Sequence, residues 1–139
     1  MAFWRTYYHL VWATKYRQDI LKPGIEERVH GYIVQRAADL GVYVYAIDGW
    51  FDHVHLVVAV PPRLAVAHVV RHLKGASAHF ATHHLDPAFA WQQGYGVLTV
   101  GERQRPIVEK YVRLQKQHHR AQTINTWLEM ASDDEDGSG

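Results

Sequence analysis

Cysteine is absent from the 139 residues. That excludes disulfides and thiolate metal sites, and makes the cytoplasm the default expectation. No apolar run approaches the ~18 residues that a membrane span needs, so a soluble protein is expected. The opening MAFWRTYYHL lacks the charged start, long apolar stretch and small-residue cleavage site of a secretory signal. Internal repeats and linkers are missing, which leaves one domain long enough to bury a core. No nucleotide-binding motif is visible, so chemistry driven by ATP is not indicated.

What is present is 47% apolar and 12% aromatic, a globular composition. The net charge of +1 hides an asymmetry. Residues 129–139, EMASDDEDGSG, hold five acidic residues and no basic one, so residues 1–128 carry 15 basic against 9 acidic, or +6. A single folded domain over 1–128 and a disordered acidic tail over 129–139 are therefore expected. The basic body gives mild support for a phosphate-bearing partner.

Periodicity alternates between two and 3.6. FWRTYYHLVWAT, residues 3–14, is aromatic and β-branched and reads as a strand ending in the basic Lys15 to Arg17. A helix follows from Pro23 to Gly41, with Glu26 and Glu27 in its first turn and Ile25, Val29, Ile33 and Ala37 on one face. VYVYAIDGW and HVHLVVAV read as a hairpin that Pro61 and Pro62 end. A second helix spans about 64–84, GYGVLTVG gives a fourth strand, and one last helix is predicted from Pro106 to about His119. The order βαββαβα matches an α+β, ferredoxin-like split βαβ arrangement: a four-stranded antiparallel sheet, helices on one face, and an added C-terminal helix. The other sheet face is expected to be open to a ligand or another subunit.

The segment DHVHLVVAV carries the first chemical signal. In a strand His53 and His55 point to the same face about 7 Å apart, while Val54, Leu56 and Val58 face the opposite way. Two imidazoles so placed supply two ligands to a metal, and a third protein ligand must complete the set. Eleven histidines also produce such pairs by chance, so a hydrogen-bonded pair without a metal stands as the alternative. RPIVEKYVRLQKQHHR offers the third ligand. Tyr111 and Gln115 stand four apart on a helical stripe with Ile107 and His118. A phenol attacks phosphorus when a metal polarises the phosphate, and an amide oxygen can hold that metal. The alternative is a Tyr111 that simply packs in the core. His118 and His119 are within reach of such a metal, but their position after Gln115 makes the helix surface or a nucleic acid the expected surroundings.

Together, YYHLVWATKYR, DHVHLVVAVPP, LKGASA, GYGVLTVG and YVRLQKQHH resemble, in order and spacing over about residues 5–120, the single-tyrosine HUH transposases of small bacterial and archaeal insertion sequences. HUH denotes histidine, hydrophobic residue, histidine. The resemblance implies His53, His55 and Gln115 as ligands of Mg²⁺ or Mn²⁺, and Tyr111 as a nucleophile that cuts single-stranded DNA and keeps its 5′ phosphate. It implies imperfect DNA hairpins as substrate and a homodimer in which one subunit's tyrosine helix completes the other's site. Lys15, Arg17, Arg71 and Lys74 are expected to meet the DNA backbone. Histidine and glutamine are softer than the usual oxygen shell of Mg²⁺, so Mn²⁺ is expected to support higher activity in vitro. YVRLQ departs from the Ile, Glu and Asn that many members carry between tyrosine and glutamine, but keeps the spacing. Two rival classes remain. A non-catalytic or domesticated nucleic-acid-binding protein would stack bases on Trp4, Tyr8 and Trp12. A phosphoesterase would use water as nucleophile and tolerate Tyr111→Phe.

Overall fold

In the computed structural model residues 3–131 are described. Strand β1 (Tyr7–Ala13) leads through a 3-10 turn (Lys15–Arg17) to helix α1 (Ile25–Leu40), then the hairpin β2 (Tyr43–Trp50) and β3 (His53–Ala59). Helix α2 (Val66–His84), strand β4 (Gly96–Val100) and three C-terminal helices, α3 (Arg105–Arg113), α4 (Gln115–Ala121) and α5 (Thr126–Glu129), complete it. The strands form one antiparallel sheet in the order β2-β3-β1-β4. This is the expected α+β arrangement. No described helix is long and apolar enough to cross a membrane.

The sheet's alternation sorts its residues cleanly. Leu10, Trp12, Val54, Leu56 and Val58 point into the main core, where Val29, Ile33 and Ala37 of α1 and Val69, Val70 and Leu73 of α2 meet them. Each fully buried aliphatic side chain here contributes roughly 1.5–3 kcal/mol. Trp12 is 0% exposed and Tyr8 is half-buried against the same core. Two of the three residues of the rival base-stacking face are therefore engaged in packing, while Trp4 is 37% exposed. Gly41 at φ 82° ends α1 with a left-handed cap.

Four expectations need correction. The second sheet face is covered rather than open, because Val108 and Val112 of α3 pack on Tyr45, Ala46 and Val57, and the Arg105 guanidinium lies 4.1 Å from the Tyr45 ring centroid. On α3 Val112 is buried while Ile107 is 70% exposed, so the packed stripe runs through Val108 and Val112 and not through Ile107. The last helix is also two helices. Leu114 at φ −101°, ψ 22° breaks it, with its N–H shared between the Lys110 and Tyr111 carbonyls. Finally, Glu129 belongs to the fold as the last residue of α5, not to a tail. The rest of the expected tail, from residue 132, lies outside the described residues.

The β2–β3 turn fixes the register that aims the histidines, and Gly49 is where it is tightest. A Cβ there would collide with the His53 carbonyl oxygen and sit 3.0 Å from the Val54 Cα. Gly31, inside α1, faces open space. Urea unfolding should therefore show Gly49→Ala destabilised by more than ~1 kcal/mol, and Gly31→Ala stabilised by up to about 1 kcal/mol.

Candidate active site

His53 and His55 leave β3 on the face covered by α3 and α4, and both are buried. Each ring is oriented from behind. The Asp52 carboxylate lies 2.6 Å from Nδ1 of His53, and Nε2 of His9 on β1 lies 2.8 Å from Nδ1 of His55. Both Nε2 atoms consequently face forward, the arrangement in which an outer hydrogen bond fixes the tautomer of a metal-binding imidazole. His9 and Asp52 escaped the sequence reading. Asp52 adjoins the motif and was open to suspicion, whereas His9 comes near only through strand pairing.

The C-terminal helices bring the remaining groups. Gln115 is fully buried with Oε1 3.2 Å from Nε2 of His53. Tyr111 donates its hydroxyl hydrogen to the Glu129 carboxylate and accepts the Asn125 backbone N–H at 2.9 Å. All four expected residues thus meet within one chain. Two further residues join them. Nε2 of His119 lies 3.2 Å from both Nε2 of His53 and Oε1 of Gln115, its ring stacked on Trp50 at 5.0 Å. Oε1 of Glu129 lies 3.0 Å from Nε2 of His55 and 3.1 Å from Nε2 of His53. His119 therefore stands at the centre, while His118 stacks on the Tyr111 ring at 4.5 Å. His119 stands one helical turn beyond Gln115 on α4, so the i, i+4 spacing that pairs Tyr111 with Gln115 also carries the signal for it.

Charge in the site is concentrated on few groups. Burial acts to lower the His53 pKa, but the Asp52 and Glu129 carboxylates outweigh it and hold it up at about 9. Burial acts to raise Glu129, yet its hydrogen bonds from His53 and His55 keep it well below the usual carboxylate range. Burial, then the neighbouring Glu129, pushes Tyr111 up to about 12. Burial first, and then His55, drives His9 down to about 3. The donor set of two imidazoles, an amide oxygen and a carboxylate fits a divalent cation.

A second group, Glu26, His30 and Asp48, also meets metal-ligand spacing. The Lys116 ammonium fills it, 2.9 Å from Glu26, 2.7 Å from Asp48 and 2.9 Å from the Gly49 carbonyl. This clamp ties α4 to the β2 edge beside Gln115. The expected DNA-contact residues separate. Lys15 and Arg17 line a cavity of about 290 Å³ with Tyr16, Gln92 and Gln93. Tyr16 is 82% exposed at φ 58°, an uncommon backbone state for a residue with a side chain. Arg71 is exposed on α2. Lys74 is buried, its ammonium on the Gln93 and Gly94 carbonyls at 2.6 and 2.9 Å, so it anchors the loop before β4.

An antiparallel α+β sheet presenting paired histidines beside a helix-borne tyrosine and glutamine defines the class. The model of the family described as "Transposase IS200 like" matches residues 2–115, and the chain belongs to that family. It is 33% identical over 115 residues to the ISDra2 transposase TnpA of Deinococcus radiodurans, covering 78% of this chain and 82% of that protein. It is 29% identical over 120 residues to the IS200 transposase of Salmonella typhimurium, covering 81% and 78%. A transposase crystal structure from Deinococcus radiodurans matches with a TM-score of 0.68 at 28% identity, over 83% of this chain and 95% of that one. A REP-associated tyrosine transposase bound to a REP hairpin shares the fold, with a TM-score of 0.66 at 14% identity over 86% and 74%.

One buried and one half-buried histidine make the fold acid-sensitive. His9 and His30 have folded-state values of about 3 and about 4, below the ordinary 6.5, with burial the main cause in both. The unfolded chain therefore takes up protons first, and stability present above pH 6.5 is lost as pH falls toward 4. The melting temperature should drop by at least several degrees from pH 7 to 4.5. His30→Leu should flatten that dependence, and a flat wild-type profile would contradict it.

Proposed function

We propose that this IS200-like transposase cleaves and rejoins single-stranded DNA at insertion-sequence ends through a 5′-phosphotyrosine on Tyr111, with Mg²⁺ or Mn²⁺ held by His53, His55 and Gln115. The convergence of both Nε2 atoms, the Gln115 amide oxygen and the Tyr111 hydroxyl around one carboxylate carries the proposal. A bound divalent ion would supply positive charge to the scissile phosphate. Tyr111 supplies the nucleophile: its oxygen bonds to phosphorus, the bond from phosphorus to the 3′ oxygen breaks, and that oxygen leaves as a 3′ hydroxyl carrying a proton. The 5′ phosphate stays on the tyrosine until another 3′ hydroxyl attacks, so the diester bond is conserved and no ATP is needed. Asp52 and His9 hold the imidazoles in the orientation that leaves Nε2 available.

The proposed partner is single-stranded DNA with imperfect hairpins, and a cytoplasmic location belongs to the same proposal. Lys15 and Arg17, beside the exposed Tyr16, combine cationic groups with an aromatic face for phosphates and a base. Arg71 is offered as an outlying phosphate contact, and Lys74 supports the loop from beneath. The single transposase domain expected over 1–128 is part of the proposal. A homodimer belongs to the proposal as well, since α3 follows the Gly101 turn after β4 and two copies exchanging their C-terminal helices would rebuild the same centre.

Incubated with labelled hairpin-bearing single strands and Mn²⁺, the wild type should give a covalent protein-DNA band on a denaturing gel, and Tyr111→Phe none. Cleavage by Tyr111→Phe without an adduct would favour the water-dependent phosphoesterase. Lys15→Ala and Arg17→Ala should each weaken DNA binding across sequences and lower the salt slope by about one.

A further inference from the structure

The family match ends at Gln115, yet the chain continues and sends a carboxylate back into the centre. Adjacent ligands on an octahedral ion with bonds of ~2.1 Å lie about 3.0 Å apart. Oε1 of Glu129 stands 3.0 and 3.1 Å from the Nε2 atoms of His55 and His53. Gln115 Oε1 stands 3.2 Å from Nε2 of His53. Among the described residues, His53, His55 and Glu129 form a group with metal-ligand spacing. The two imidazoles and the amide bring no negative charge, and ligand charge sets how tightly a hard divalent cation is held. Asp52 cannot supply it, since its carboxylate is engaged behind His53 at Nδ1.

We propose that Glu129 is a further protein ligand of the divalent cation, delivered by α5, so that cation binding and docking of residues 123–131 over Tyr111 are coupled. The inference rests on the metal reading above. Local structure is built for this delivery. The Asn125 side chain caps α5 by accepting the Trp127 N–H at 3.0 Å, and the Asn125 backbone N–H holds the Tyr111 hydroxyl. After Glu129 the chain presses against β4 so closely that a Cβ on Gly96 would collide with the Met130 carbonyl oxygen. Glu129 thus touches the nucleophile with one carboxylate oxygen and the histidine pair with the other.

The test is Mn²⁺ binding to the full chain without DNA, by calorimetry, with amide hydrogen exchange of residues 123–131 as a second readout. His53→Ala should abolish binding. Glu129→Gln and Glu129→Ala should each weaken it by about tenfold or more, and Mn²⁺ should slow exchange in the wild type but not in Glu129→Gln. Glu129 variants that bind as tightly as the wild type, or more tightly, would overturn the inference; tighter binding would make the carboxylate a competitor for the cation's place. In either case loss of binding in His53→Ala leaves the wider metal reading standing. If the wild type shows no His53-dependent binding, both fall together.

Discussion

The site depends on two imidazoles held back to front. His53 and His55 share a face because a strand alternates, but alternation alone leaves each ring free to present either nitrogen. Asp52 behind His53 and His9 behind His55 remove that freedom. The rest of the centre is arranged around the two Nε2 atoms that result. β1 and β3 must pair in register for His9 to arrive, the β2–β3 turn must be tight for Asp52 to bend back, and α3 and α4 must cover that face to bring Tyr111 and Gln115.

Burial makes these arrangements costly without charge compensation. A protonated His53 faces an ionised Glu129 across 3.1 Å, and that pairing lets two charges persist where burial opposes both. Tyr111, pushed up to about 12, keeps its proton at neutral pH while Glu129 accepts its hydrogen bond. Lys116 applies the same logic at the sheet edge, where one ammonium compensates Glu26 and Asp48 and fixes α4.

Much of this was legible in sequence because it follows from short periods. The four strands, α1 with its Val29, Ile33 and Ala37 stripe, and the shared face of His53 and His55 all follow from periods of two and 3.6. Tyr111 and Gln115 stand out by chemical type and spacing, and the fold brings both beside the histidine pair. What escaped depends on tertiary contacts. The break at Leu114 has no glycine or proline to announce it, so α3 and α4 read as one helix and the packed stripe reads as Ile107 rather than Val108 and Val112. Glu129 begins an acidic stretch and reads as tail, because composition cannot show that one carboxylate folds back 14 residues after Gln115. Lys74 reads as a phosphate contact because a charge pattern does not reveal which ammonium is buried against carbonyls.

The most direct measurement is diffraction from crystals grown with Mn²⁺, using the ion's anomalous signal to locate it. The expected result is a peak in front of His53 and His55, within ligand distance of their Nε2 atoms and of Gln115, beside the Tyr111 hydroxyl. A peak at Glu26, His30 and Asp48 instead, or an ordered histidine pair with no peak at saturating Mn²⁺, would contradict a metal-assisted tyrosine site.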